Sequence, residues 1–156
     1  MTPLKLTGKK FRVVILEDDP YFMDLLVDVF DKSGKFSVIA KFTNIEDLVK
    51  TAPNFMLRFE NHQEEFPDLL CLDILTGPVS DFGSDALNGA SVSLYLKKMG
   101  IKIAVLLISS IKSENLQALV GTKFPGYKFL QKTSRITDSE IIDMALKSIE
   151  SMRSNS

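Results

Sequence analysis

Arg12-Val-Val-Ile-Leu16 runs straight into Glu17-Asp18-Asp19-Pro20. A short apolar run rich in β-branched residues, closed by acids and a proline, reads as a buried strand that ends abruptly. Pro20 suits the first turn of a helix, so three carboxylates fall on a strand-to-helix turn. The arrangement recurs along the chain. Leu69-Leu-Cys-Leu72 ends at Asp73, Ile103-Ala-Val-Leu-Leu-Ile108 at Ser109, and Tyr127-Lys-Phe-Leu-Gln131 at Lys132. Phe36-Ser-Val-Ile-Ala-Lys-Phe42 supplies one further strand.

Helical patterns separate these strands. Phe22, Leu25, Leu26 and Val29 recur at helical spacing before Gly34. Thr43 with Glu46 is spaced as a capping box, and Pro53 breaks the helix it opens; Asn54 to Glu65 resumes as a second piece. Val92, Leu96 and Met99 mark a helix ending at Gly100, and Leu116, Leu119 and Val120 mark another after Ser113. Thr137 with Glu140 opens a last helix, with Ile142, Ala145, Ile149 and Met152 expected to face inward. Strands alternating with helices predict an α/β fold with a parallel, doubly wound sheet. Such sheets place ligands at the carboxyl ends of their strands. Three acids, a hydroxyl and an ammonium are then expected to share one crevice.

Composition sets the bounds. The chain has 156 residues, 45% hydrophobic and 25% charged, enough for one domain with a real core. Its net charge of −1 provides no global basic field for nucleic acid. No apolar run approaches the ~20 residues of a membrane span. Cys71 is the only cysteine and cannot form an internal disulfide, and Met1 to Lys10 lacks the apolar segment of a signal peptide. A soluble, cytoplasmic protein is expected.

The acids carry the chemistry. Two carboxylates about 4 Å apart repel by about 4 kcal/mol at an effective dielectric near 20, so a cluster of Glu17, Asp18 and Asp73 calls for a cation or a raised pKa. An oxygen-only donor set suits Mg²⁺. Asp73 ends a wholly apolar strand, and a partly desolvated carboxylate there can attack a phosphoryl group. Lys132 can reach a phosphate oxygen or pair with Asp73, and Ser109 can donate to a phosphoryl oxygen. Singly, each also reads as an acidic loop, a turn cap or a surface lysine. Their joint placement at strand ends favours reversible phosphorylation of Asp73.

Val13-Val-Ile-Leu-Glu-Asp-Asp-Pro20, Pro67-Asp-Leu-Leu-Cys-Leu-Asp-Ile74, Val105-Leu-Leu-Ile-Ser-Ser110 and Gly126-Tyr-Lys-Phe-Leu-Gln-Lys132 resemble the signature blocks of response-regulator receiver domains. These are the phosphoacceptor modules of two-component signalling. The resemblance covers about residues 11 to 152, within a single domain over 1–156. It implies a (βα)5 flavodoxin-like three-layer sandwich with strand order 2-1-3-4-5, and a signalling module rather than an enzyme. Asp73 would be the phosphoacceptor. Mg²⁺ would be held by Glu17, Asp18, Asp73 and the backbone carbonyl of Leu75, with Asp19 a neighbour that does not touch it. Ser109 would be the switch hydroxyl, Phe129 the switch aromatic and Lys132 the phosphate-binding lysine. A sensor histidine kinase or phosphotransfer protein would supply the phosphoryl group. The surface of the fourth helix, fifth strand and fifth helix would then meet an output domain or partner protein, without direct nucleic-acid or membrane contact. Monomer and homodimer both stay open, as do a stand-alone protein and the receiver part of a longer regulator. Leu75 and Ile111, two after the phosphoacceptor and two after the switch hydroxyl, are apolar and would keep water from the phosphoryl bond.

The chain departs from the family in three places. The Thr76–Asn88 loop is long, the helix after the second strand is extended, and Thr133 stands where proline usually follows the lysine. His62 lies among Glu60, Asn61, Gln63 and Glu64 and reads as a solvated surface residue. Other functions compete. Phosphohydrolases resembling the haloacid dehalogenase group need an acid two residues after the nucleophile, where this chain has Leu75. A degenerate receiver would bind partners without phosphorylation. No glycine-rich turn follows the first strand, which argues against a nucleotide-binding Rossmann domain.

Overall fold

The computed structural model describes residues 10–44, 47, 67–73, 103–109, 128–133 and 135–154. Five strands form one sheet: β1 (Phe11–Leu16), β2 (Phe36–Phe42), β3 (Leu69–Asp73), β4 (Ala104–Ser109) and β5 (Lys128–Gln131). All pairings are parallel, in the order β2-β1-β3-β4-β5 expected from the sequence. The expected helices after β2, β3 and β4, the extension Asn54–Glu65 and the loop Thr76–Asn88 lie outside the described residues, as do His62, Leu75 and Ile111.

The central strands explain their own composition. Every residue of β3 and β4 is buried. Val13 and Ile15 on one face of β1 and Val14 and Leu16 on the other are buried alike. A parallel sheet covered on both faces needs such unbroken apolar strands. β2 and β5 are the sheet edges and alternate or thin out in burial. β2 holds one extra residue, Ile39, because Val38 pairs with Val13 while Ala40 pairs with Val14. Ile39 is accordingly exposed.

Helix α1 (Pro20–Ser33) starts where the sequence places it. The Asp19 side chain accepts from the Tyr21 N–H, Pro20 fills the first turn, and Gly34 ends the helix at φ 70°. That left-handed conformation suits a residue without Cβ. Met23, Leu26, Val29 and Phe30 are its buried stripe, each adding about 1.5–3 kcal/mol of apolar burial. Phe22 and Leu25, expected inward, are only partly buried against the core. Phe30 meets Phe36 edge-on at 4.9 Å, tying α1 to β2.

The C-terminal helix (Asp138–Ser154) packs on the same face, with Ile141, Ala145, Ile149 and Ser148 buried. Ile142 and Met152 are partly buried, so the buried line begins one residue earlier than expected and steps by four. Thr137 Oγ1 accepts from the Glu140 N–H at 3.2 Å, as its capping box requires. The box expected at Thr43 and Glu46 lies partly outside the described residues, because Glu46 does. Asn44 Oδ1 takes the Asp47 N–H at 2.9 Å, and Asn is at least as good a cap as Thr. Among the described residues, no helix is long and apolar enough to cross a membrane.

Candidate functional site

Strand register builds the site. Leu16 pairs with Leu72, so Glu17 and Asp73, one residue later, come level at the carboxyl edge of the sheet. Asp73 pairs with Ile108, Ser109 pairs with Gln131, and the Lys132 N–H donates to the Ser109 carbonyl at 2.7 Å. Each strand thus delivers its polar residue to the same place. Asp73 and Ser109 are the last residues of their strands rather than the first beyond them.

Lys132 is the hub. Its Nζ donates to Asp73 Oδ2 at 3.0 Å and lies 2.5 Å from Glu17 Oε1. The second approach is an ion pair to a buried carboxylate oxygen. Glu17 Oε2 accepts the Asp19 N–H at 3.2 Å. Glu17 is 1% exposed, Asp73 6% and Ser109 fully buried, whereas Asp18 is exposed at the rim. The Nζ also sits 4.6 Å from the centre of the Phe22 ring.

Among the described residues the charges of the site are unbalanced. Burial, and then a hydrogen bond and like charge from Asp73, push the Glu17 carboxyl up to about 7 despite the pull of Lys132. Burial works to lower the Lys132 ammonium, but contacts with Glu17 and Asp73 outweigh it and raise it. Burial, followed by the charges of Glu17 and Asp73, pushes the Cys71 thiol far up, so it stays protonated and inert. Carboxylate oxygens of Glu17, Asp18 and Asp73 lie within 4.8 Å of one another. An oxygen-only trio of carboxylates gathered this closely fits a hard divalent cation such as Mg²⁺.

The structure brings together Glu17, Asp18, Asp73 and Lys132, with Ser109 joined to Lys132 through the backbone. Phe129 lies on β5, three residues before Lys132, half-buried and paired with Leu107. Leu75 lies outside the described residues. Sequence reasoning paired Lys132 with Asp73 but missed its contacts with Glu17 and Phe22. Asp19 proves to be the cap of α1, a role signalled by Asp directly before Pro20. Thr133 starts a turn, accepting from the Ile136 N–H at its carbonyl and from the Arg135 N–H at Oγ1.

No family model matches the chain, and no curated protein matches it in sequence. Solved structures do match. The signal receiver domain of the response regulator NarL from Mycobacterium tuberculosis is 23% identical, with a TM-score of 0.64 over 91% of this chain and 98% of that one. The signal receiver domain of a modulated diguanylate cyclase from Desulfovibrio desulfuricans G20 is 19% identical, with a TM-score of 0.69 over 95% and 100%. A chain of the CheX–CheY–BeF3–Mg²⁺ complex from Borrelia burgdorferi is 20% identical, with a TM-score of 0.62 over 90% of each. The fold of this chain is the fold of response-regulator receiver domains.

Proposed function

We propose that the chain is a receiver domain that accepts a phosphoryl group on Asp73. The observation that carries this reading is the buried Asp73 carboxylate, 3.0 Å from the Lys132 ammonium and grouped with Glu17 and Asp18, at the carboxyl edge of a receiver-type sheet. An Asp73 oxygen attacks the phosphorus of a phosphohistidine on a sensor kinase or phosphotransfer protein. The O–P bond forms, the N–P bond breaks, and the imidazole keeps the electron pair and takes a proton. Glu17, Asp18, Asp73 and the Leu75 carbonyl would hold Mg²⁺, which neutralises charge between the carboxylates and the phosphoryl oxygens. Lys132 neutralises a further phosphoryl oxygen, and the Ser109 hydroxyl donates to another.

Phosphorylation biases a two-state change. Ser109 moves toward the phosphoryl oxygens and Phe129 repacks. The surface that changes comprises residues 113 to 121, 126 to 131 and 138 to 152, which presents the new state to an output domain or partner protein. The module is not an enzyme on this reading, and its setting is the cytoplasm. The receiver-type fold supports these roles, as does the likeness to a chain of the CheX–CheY complex that contains BeF3 and Mg²⁺.

Intact mass after incubation with acetyl phosphate and Mg²⁺ tests the reading. A gain of one phosphoryl group that vanishes with a chelator is expected. No gain would point instead to a binding module that works without phosphorylation.

A further inference from the structure

Lys132 is held on three sides, and carboxylates supply only two of them. The third is the face of Phe22, whose ring centre lies 4.6 Å from Nζ. That distance is within the ~6 Å over which an aromatic face attracts a cation. Two independent devices fix the pair. Asp19 caps α1 and Pro20 sets its first turn, which places Phe22 as the third helical residue, directly above the site. The Lys132 backbone is anchored by its N–H to the Ser109 carbonyl at 2.7 Å, so the side chain starts from a fixed point. Phe22 is partly buried against the core, and the Lys132 side chain is 17% exposed.

We propose that Phe22 is a positioning residue for Lys132. Its ring holds the ammonium over the pocket and keeps it from swinging into solvent while the acids rearrange around a metal ion or a phosphoryl group. A flexible lysine has several rotamers, and carboxylates alone do not hold it there once Mg²⁺ competes for them. The ring is indifferent to that competition, because it offers no oxygen to the ion. Aliphatic packing would fill the same space without attracting the charge, so the π face is the functional feature. The effect on phosphoryl uptake rests on the receiver reading; the ring contact itself does not.

NMR of the parent, Phe22→Leu and Phe22→Tyr separates the two. In the metal-free parent, the Lys132 ε-methylene protons should be shifted upfield by the ring and show cross-relaxation with the Phe22 ring protons. Phe22→Leu should lose the shift and slow phosphoryl uptake from acetyl phosphate about fivefold, with Mg²⁺ affinity within about twofold of the parent. Phe22→Tyr should restore both shift and rate. Absence of cross-relaxation in the parent, or an unchanged shift in Phe22→Leu, would overturn the contact without any need for activity. A lost shift with an unchanged rate would reduce the ring to packing. If the parent takes up no phosphoryl group at all, the receiver reading fails, and the parent's cross-relaxation still decides the contact.

Discussion

β1 and β3 carry an ion pair at each end, and the two differ in kind. At the amino ends, Asp68 Oδ2 accepts the Arg12 backbone N–H at 2.8 Å and lies 3.4 Å from the Arg12 Nε. The Asp68 N–H returns a bond to the Arg12 carbonyl at 2.8 Å. Among the described residues one cation meets one anion, both side chains are about a quarter exposed, and the contact braces the two strands. At the carboxyl ends, a single ammonium among the described residues faces Glu17 and Asp73, both almost wholly buried, with Asp18 close by. Among the described residues that charge count does not close, and burial first, then Asp73, push the Glu17 pKa up. A balanced pair stabilises a fold. On the proposed reading, the unbalanced one is held ready for another cation and for the group that cation accompanies.

The comparison breaks most sharply under Asp-to-Asn substitution. Asp73→Asn should abolish phosphoryl uptake, whereas Asp68→Asn should leave its rate unchanged, both read by intact mass. Loss of uptake in the Asp68 variant would put chemistry at the wrong end of the strands.

Stability should respond with opposite signs. Asp68→Asn should cost about 1 kcal/mol. Metal-free Glu17→Gln at pH 8 should stabilise by on the order of 2 kcal/mol, since an ionised Glu17 is disfavoured in the fold. The pH dependence follows. A carboxyl whose pKa is raised from 4.5 to about 7 on folding binds its proton more tightly folded. Its contribution is complete below 4.5 and is lost as pH rises through about 7. The parent should therefore lose stability across that window and Glu17→Gln should not. Lys132, raised on folding, stays charged throughout and adds no slope. Urea melts from pH 5 to pH 8 check both claims. A stabilising Asp68→Asn or a destabilising Glu17→Gln would invert the comparison.

Metal binding sharpens the carboxyl end further. Asp18 is one of the few hard oxygen donors such a site would offer Mg²⁺. Asp18→Ala should thus weaken Mg²⁺ about tenfold, and the parent's Mg²⁺ affinity should rise with pH toward 7 as Glu17 ionises. Calorimetric titration tests this; equal affinity in variant and parent would remove Asp18 from the metal site.

Much of this was readable in the chain because strand interiors and strand ends use different residues. Unbroken apolar runs such as Leu69–Leu72 announce a parallel sheet, and the polar residue after each run announces an edge. The Gly34 and Thr137 helix ends were legible because caps are local. Pairing across the sheet is not local. Arg12 and Asp68 are 56 residues apart, and nothing near either one names the other. Lys132 meets Glu17 as well as Asp73 only because register brings β1 and β3 level. Phe22 looked like one more apolar residue of a helical stripe, and its ring contact depends on where α1 enters the site. Asn44, which takes the Asp47 N–H, went unread because two good caps stand side by side.

The smallest expected effect concerns the life of the phosphorylated state. Leu75→Asn with Ile111→Glu should speed phosphate loss by a few-fold, about 1 kcal/mol of barrier, by giving water polar partners. Mass followed over time reports it, and a parent as fast as the double variant would dismiss these side chains as water barriers.

The central claim is that the unbalanced end of the sheet is the phosphoryl site, with Asp73 its nucleophile. Borohydride reduces an aspartyl phosphate to homoserine and spares free carboxylates. After acetyl phosphate, Mg²⁺ and borohydride, peptide mapping by mass should find homoserine at position 73 alone. Homoserine at Asp18, Asp19 or Asp68, or none at 73 in protein that has gained a phosphoryl group, would contradict the account.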